Sequence, residues 1–145
     1  MKRRGLQLSR RHRLTLYSAS LLLFISGAAW AWANHLDETA RAGEALRRLK
    51  PWLLKIHGFS AMGFVLLLGT LLPGHVRRAW HAHKNRGNGA FFLAAVSLLT
   101  LSGYALYYLG DEDWRDGVGK FHLWLGITGP LLLICHMHSG RKATT

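Results

Sequence analysis

The sequence predicts an all-α integral membrane protein, a single domain over residues 1–145 that crosses the bilayer four times. Half of its residues are hydrophobic and only 18% are charged. Asp, Glu, Lys and Arg are absent from four stretches, at 14–34, 56–72, 87–110 and 121–140. A helix needs roughly 20 mainly apolar residues to cross the hydrocarbon core, so all four stretches qualify as membrane spans.

The first predicted span covers residues 14–34. Its basic start, its apolar run and the Ala-Trp-Ala triplets within 29–33 resemble a signal peptide with its cleavage site. The apolar run is 21 residues long. Since the apolar region of a signal peptide is usually only about 7–15 residues long, we predict a retained span.

The other three spans are predicted at 53–73, 89–109 and 119–138. Joined by short connections, the four helices form an up-down-up-down bundle. Residues 36–50 are predicted to form a short interfacial helix that Pro51 stops. Aromatic residues lie near the predicted outer ends, at the headgroup level that Trp and Tyr favour. They are Trp30, Trp32, Trp52, Tyr107, Tyr108 and Trp124.

The charge distribution orients the bundle. With a cytoplasmic N-terminus, the inner segments carry only basic residues and the outer segments balance, so the whole net charge of +12 lies on one face. This is the positive-inside pattern, and it predicts a bacterial inner (cytoplasmic) membrane protein with both termini in the cytoplasm. Topology explains the basic face, so we expect no nucleic-acid partner. The single cysteine, Cys135, lies in the last span and indicates no disulfide framework.

The nine histidines divide into two groups by position. Ionisable side chains in or beside a span are costly, which favours a functional role, although a single histidine at an interface can equally serve as an anchor. Four histidines lie outside the spans and are expected to be solvated, namely His12, His35, His81 and His83. The other five lie in or beside the second and fourth spans, namely His57, His75, His122, His136 and His138.

Helix geometry arranges these five histidines on faces and levels. His122 and His136 are 14 residues apart, which puts them within about 40° of each other and about 21 Å apart along the axis. His57 and His75 are 18 residues apart, five whole turns, and so also share a face at about 27 Å. His138 is turned by about 160° from His122. Two helices thus present two histidine levels each.

The second and fourth helices of such a bundle run in the same direction and stand diagonally across its core. A flat macrocycle fits between them, with one imidazole on each side of its iron. Gly126 and Gly129 lie on the histidine face of the fourth helix and leave room for a porphyrin. Small residues also serve helix packing in membranes, and this role is sufficient to explain Gly27, Gly63, Gly69 and Gly103. Zinc or copper fits less well because no carboxylate lies inside any span. We therefore predict haem between helices 2 and 4.

Four segments carry a resemblance to a known family. They are Leu54-Lys-Ile-His-Gly58, Leu72-Pro-Gly-His-Val-Arg77, Leu101-Ser-Gly-Tyr104, and His122-Leu-Trp-Leu-Gly126 through His136. Over roughly residues 14–140 the chain resembles the four-helix, di-haem cytochrome b561-like membrane proteins, particularly the small bacterial membrane cytochromes. The better-known members also take ligands from other helices, whereas the first and third spans here contain no histidine.

The resemblance implies two haems b, each held by two histidines, and electron transfer across the membrane. By position it implies an outer haem between His57 and His122 and an inner haem between His75 and His136. Two imidazoles per iron leave no open position for dioxygen, so the expected function is single-electron transfer. The alternative is a haem-free anchor subunit that holds a partner redox enzyme at the membrane.

Basic residues stand near both predicted levels. Lys55 and Lys120 on the outside, and Arg77 and Arg78 on the inside, are placed to meet haem propionates or to anchor the helices at the interface. The electron donor and acceptor are left open between quinol or quinone, superoxide, a periplasmic flavoprotein and a soluble cytochrome. Whether the protein is itself an oxidoreductase is left open with them.

The inner level poses a geometric problem. The separations of the two histidine pairs along their helices differ by about 6 Å, so His75 and His136 are not level in ideal helices. Pro73, with the glycine after it, can end or bend the second helix, and Pro130 can kink the fourth. Without such an adjustment His138, which is closer in depth to His75, becomes the inner ligand.

Overall fold

The fold is given by a computed structural model, in which residues 9–39, 43–83 and 85–142 are described. Those residues form helices and no strand. The helices are α1 (Arg10–Glu38), α2 (Glu44–Leu71), α3 (Arg77–His81), α4 (Arg86–Tyr108) and α5 (Glu112–Lys142), and a π-helical segment, Leu72–Val76, joins α2 to α3. Several basic residues assigned to the cytoplasmic side lie outside this description, namely Lys2, Arg3, Arg4, Lys84 and the side chains at 141–142.

Four helices are long and apolar enough to cross a membrane, as predicted. They are Arg10–Glu38, Glu44–His81, Arg86–Tyr108 and Glu112–Gly140. Each extends past the charge-free stretch that predicted it, because a helix continues into the aqueous phase wherever its polar residues can be solvated. Over the described residues the protein is all-helical, which is consistent with a multi-pass membrane protein.

The predicted interfacial helix over 36–50 is wrong. Instead α1 continues to Glu38, and α2 begins at Glu44 and runs through Pro51. Proline removes one backbone donor and leaves the carbonyl four residues earlier without its helical partner. Pro51 lies before the apolar part of α2, where water can satisfy that carbonyl, so the helix does not end there.

The helices pair into two antiparallel hairpins, which we call the first hairpin (α1 and α2) and the second hairpin (α4 and α5). In the first, Lys50 Nζ lies 2.7 Å from Asp37 Oδ2 at one end, and Thr70 Oγ1 lies 3.1 Å from His12 Nε2 at the other. In the second, contacts join residue 88 to 136 and residue 102 to 122. The chain therefore runs up, down, up and down.

Packing is extensive within each hairpin and sparser between them, where the main contact joins α1 to α5. The buried side chains among the described residues are mostly small, as in membrane bundles, where small residues let backbones approach closely. They are Leu16, Ser26, Ala33, Ser60, Ala95 and Ser102. Large apolar side chains such as Phe59 and Leu66 face outward, which suits a lipid surrounding. The bundle is thus two tight hairpins joined by few direct contacts.

Candidate functional site

The two histidines predicted at the outer level come together across the bundle. His57 on α2 and His122 on α5 are both half-buried, and their ring centroids lie 6.3 Å apart with the ring planes at 89°. The two rings therefore belong to different hairpins. The pair thus joins α2 to α5.

The ring of His57 rests on α1. Its Nδ1 lies 3.1 Å from Ser26 Oγ and 3.1 Å from the Leu23 carbonyl oxygen. A methyl carbon added at Gly27 would lie only 2.9 Å from Cε1 of His57, so the imidazole occupies the space that a side chain at Gly27 would take. Ser26 itself is buried, and its hydroxyl also lies 3.1 Å from the Leu23 carbonyl oxygen.

The ring of His122 rests on α4 in the same way. Its Nδ1 lies 2.9 Å from Ser102 Oγ, and a methyl carbon added at Gly103 would lie 3.1 Å from its Cε1. Ser102 is buried, and its hydroxyl donates to the Leu99 carbonyl oxygen at 3.1 Å. The second hairpin thus repeats the contacts of the first.

The sequence analysis missed these supporting residues and assigned the two glycines to helix packing. The sequence nevertheless contains a repeated pattern that indicates them. The segment Leu23-Phe-Ile-Ser-Gly27 in α1 and the segment Leu99-Thr-Leu-Ser-Gly103 in α4 share the pattern Leu-x-x-Ser-Gly. Each precedes, along the chain, a helix that carries Lys-x-His, at Lys55–His57 in α2 and at Lys120–His122 in α5. The repeat therefore covers the histidine and the helix that supports it.

The inner histidines are supported by different groups. His136 on α5 is half-buried, with its Nδ1 3.2 Å from Asn88 Oδ1 and its ring stacked on Phe92 at 4.8 Å and 15°. His75 is also half-buried. It follows the end of α2, and His136 lies near the end of α5, so both residues lie at the end of the bundle opposite the outer pair.

The backbone adjustment expected beside His75 is present. Residues Leu72–Val76 form a π-helical segment that contains Pro73 and His75. Such a segment makes i→i+5 hydrogen bonds and is wider than an α-helical turn, so it changes the level and direction of the residues it carries. By contrast α5 continues through Pro130 to Lys142. His138, the alternative inner ligand, is exposed.

The basic residues predicted to meet propionates have other neighbours. Lys55 Nζ lies 4.6 Å above the Trp52 ring, and Lys120 Nζ pairs with Asp116 at 2.7 Å. These contacts suit the anchoring role. Two arginines lie near the inner histidines in sequence, and both are exposed. They are Arg77 and Arg78, and Arg78 Nε donates to the Gly74 carbonyl oxygen at 2.5 Å.

Of the four histidines predicted to be solvated, three are exposed and one is half-buried. His35, His81 and His83 are exposed, as predicted. His12 is half-buried, with its Nε2 3.1 Å from Thr70 Oγ1, so the prediction was wrong for this residue. The physical reason is that α1 starts four residues before the charge-free stretch and packs its first turns on α2.

The glycines on the histidine face of α5 have space in front of them. A methyl carbon added at Gly129 would meet nothing within 4 Å, and one added at Gly126 would lie 3.9 Å from Leu99 Cδ2, an ordinary contact. Protein packing alone therefore does not require glycine at either position. This is compatible with the room for a macrocycle that the sequence predicts there.

The described residues contain no group of three or more His, Cys, Asp or Glu side chains that could hold a metal ion. A site built from protein ligands alone needs such a group, whereas a haem iron takes only axial ligands from the protein. No family model matches the chain, and no curated protein or solved structure shows a significant match to it.

Proposed function

We propose that the protein is a membrane cytochrome that carries two haems b, each held by two imidazoles, and passes single electrons across the membrane. The observation that carries the proposal is the 6.3 Å separation of the His57 and His122 ring centroids. The outer haem would take these two ligands, one from each hairpin. The inner haem would take His75 and His136.

The outer spacing fits an iron between the rings. A metal–imidazole bond is about 2 Å long and the ring centroid lies about 1.2 Å beyond the bonded nitrogen, so two axial imidazoles have centroids about 6 to 6.5 Å apart. The observed 6.3 Å lies in this range. The separation of the two ring centroids therefore supports the proposal that an iron lies between them.

The residues of the chain would hold the cofactor and tune it. When bound, a haem with two axial histidines exchanges single electrons and has no open position for dioxygen. Burial among apolar side chains and nearby charge would set its potential. Arg77 and Arg78 are suited to meet the propionates of the inner haem, because the Arg78 guanidinium lies beside Gly74, which precedes His75. Lys55 and Lys120 would serve the outer haem only by exchanging their present partners.

An absorption spectrum of the purified protein, oxidised and dithionite-reduced, tests the proposal when haem is counted against protein. We expect a low-spin b-type spectrum and two haems per chain. A colourless protein from haem-replete cells would contradict the proposal and favour the haem-free anchor subunit. A count of one haem per chain would contradict the proposed second haem, and we would then keep the outer site and withdraw the inner one.

We further propose that the protein lies in a bacterial inner membrane with both termini in the cytoplasm, because its net charge of +12 is confined to one side of the predicted topology. Its redox partners would then include a quinone, or a periplasmic flavoprotein or cytochrome. Alkaline phosphatase fused near Gly110 should be active, and the same enzyme fused near Arg86 should be inactive. The reverse result would overturn the orientation.

A further inference from the structure

We propose that Ser26 and Ser102 are positioning residues of the outer site. They hold the imidazoles of His57 and His122 with the ring proton on Nδ1, so that Nε2 presents its lone pair to a ligand. We also infer that both serines lower the redox potential of the outer haem, and this second part rests on the proposed function.

The hydrogen-bond donors and acceptors around His57 determine which ring nitrogen carries the proton. A carbonyl oxygen can only accept, and the Leu23 carbonyl lies 3.1 Å from His57 Nδ1. Nδ1 must therefore carry the hydrogen. The Ser26 hydroxyl donates its single proton to the same carbonyl at 3.1 Å, which leaves its oxygen as an acceptor for Nδ1 at 3.1 Å. A neutral imidazole protonated at Nδ1 has its lone pair on Nε2.

The same count applies at His122. The Ser102 hydroxyl donates its proton to the Leu99 carbonyl at 3.1 Å. The same carbonyl is also a hydrogen-bond partner of the His122 ring, so Nδ1, which lies 2.9 Å from Ser102 Oγ, carries the hydrogen and the lone pair of that ring is again on Nε2. Two independent copies of one arrangement thus give the same tautomer to both rings of the pair.

The glycine after each serine makes the close approach possible. A side chain at Gly27 would overlap the His57 ring at 2.9 Å, and one at Gly103 would press on the His122 ring at 3.1 Å. The serine supplies the acceptor and the glycine supplies the space. The Ser-Gly pair is therefore one device that fixes both the tautomer and the position of an imidazole.

His12 shows that this arrangement is not a general property of histidines in the bundle. Its hydroxyl partner, Thr70, also donates to its own helix, at 2.6 Å to the Leu67 carbonyl. However, the nitrogen that meets Thr70 is Nε2, at 3.1 Å. The same count places the proton of His12 on Nε2, so this ring does not offer Nε2 to a ligand.

The serines also act on a bound iron through the imidazole. A hydrogen bond from the distal N–H of a ligand histidine raises the basicity of that ligand. A more basic axial ligand favours the oxidised iron, so it lowers the potential. Removing the acceptor should therefore raise the potential of the outer haem. Ser26→Ala and Ser102→Ala should have similar effects, since each ring also has a backbone carbonyl as a hydrogen-bond partner, Leu23 for His57 and Leu99 for His122.

The experiment compares Ser26→Ala, Ser102→Ala and the double variant with Ser60→Ala. Ser60 is the matched control because it is buried and donates to its own helix, at 2.7 Å to the Ile56 carbonyl. Potentiometric titration should show a positive shift of the outer midpoint potential, largest in the double variant, with the inner potential unchanged. Ser60→Ala should leave both potentials unchanged, and Ser102→Thr, which keeps a hydroxyl, should recover the native value.

A second measurement does not depend on bound haem. Nitrogen-15 NMR of histidine-labelled, haem-free protein should show His57 and His122 protonated at Nδ1. This preference should weaken at His57 in Ser26→Ala and at His122 in Ser102→Ala, because in each case the backbone carbonyl remains as an acceptor. An Nε2-protonated ring at either position in the native chain would overturn the inference. A shift in potential no larger than that of Ser60→Ala would overturn its second half. A protein that never binds haem but shows both Nδ1 tautomers would refute the proposed function and support the positioning role.

Discussion

The outer and inner histidine pairs are built by different means. At the outer level, His57 and His122 lie in regular α-helices, and each is supported by a Ser-Gly pair of its own hairpin. At the inner level, His136 leans on an amide and an aromatic ring. Its counterpart, His75, lies in a π-helical segment. One level repeats a single device, and the other combines unlike parts.

The different supports of the two histidine pairs affect how rigidly each imidazole is held. A ring whose Nδ1 is hydrogen-bonded and whose Cε1 lies against a backbone without a Cβ has little freedom to rotate, because rotation would break the hydrogen bond or press the ring on the neighbouring helix. The stacked contact of His136 with Phe92 allows sliding, and the π-helical segment around His75 depends on a proline-glycine sequence rather than on regular α-helical bonding. We therefore expect the outer site to be the better preorganised of the two.

The largest expected effect is the loss of one haem, which tests whether the pairs are separate. His57→Ala or His122→Ala should remove the outer haem alone, and His75→Ala or His136→Ala the inner haem alone. The haem-to-protein ratio should fall from two to one in each variant, and one of two waves should vanish from the redox titration. Loss of both haems from a single substitution would show that the sites are not independent.

The next effect concerns the close approach at the outer level. Gly27→Ala places a methyl carbon 2.9 Å from the His57 ring, so the ring must move. Overpacking of this kind costs about 1–3 kcal/mol. Thermal loss of the outer haem absorbance should occur at lower temperature than in the native protein.

The matched control is Gly63→Ala, on the neighbouring helix. A methyl carbon there meets nothing within 4 Å, so the outer haem should be retained at the native temperature. Equal losses in the two variants would mean that any added methyl group disturbs the helices, and would remove the special role of the Gly27 contact.

A smaller effect is expected at the inner level. Phe92→Leu keeps an apolar side chain but removes the stacking on His136, which is worth about 0.5–1.5 kcal/mol for an aromatic pair. The inner haem should dissociate more readily, while the outer haem is unchanged. Competition with a haem-accepting apoprotein, followed by absorbance, measures both. A faster loss of the outer haem would contradict the assignment of Phe92 to the inner site.

The last prediction is that a substitution at His138 leaves haem binding unchanged. His138 is exposed, so His138→Ala should retain both haems with unchanged potentials. Haem content and redox titration beside His136→Ala provide the comparison. Loss of a haem in His138→Ala, with full retention in His136→Ala, would reassign the inner ligand and leave the two-hairpin bundle as described.

The spans were predictable because hydrocarbon excludes charge, and four charge-free stretches map onto the four long helices. The approach of His57 to His122 was also predictable from helix periodicity and the direction of the helices. Pro51 misled the prediction, because a proline ends a helix only where its freed carbonyl cannot be solvated. Local sequence rules do not include the distance from the membrane surface.

The supporting residues were harder to predict. Ser26 and Ser102 lie on helices without a histidine in the span, and their role depends on how two helices are rotated against each other. Periodicity places residues on a face but does not say which face of a neighbour it meets. The π-helical segment at Leu72–Val76 is a similar case. Pro73 indicated an irregularity there, but proline alone does not distinguish a kink, an end or a wide turn.

The sparse contact between the hairpins has a consequence for biogenesis. Each hairpin can leave the translocon and enter the bilayer as a unit, because most of its contacts are internal. Each histidine pair, however, takes one member from either hairpin, so neither hairpin contains a complete site. A cofactor that bridges the pairs binds only the assembled form and stabilises it by mass action. The cellular supply of that cofactor would then decide how many inserted chains close into a bundle and how many are left for quality-control proteases.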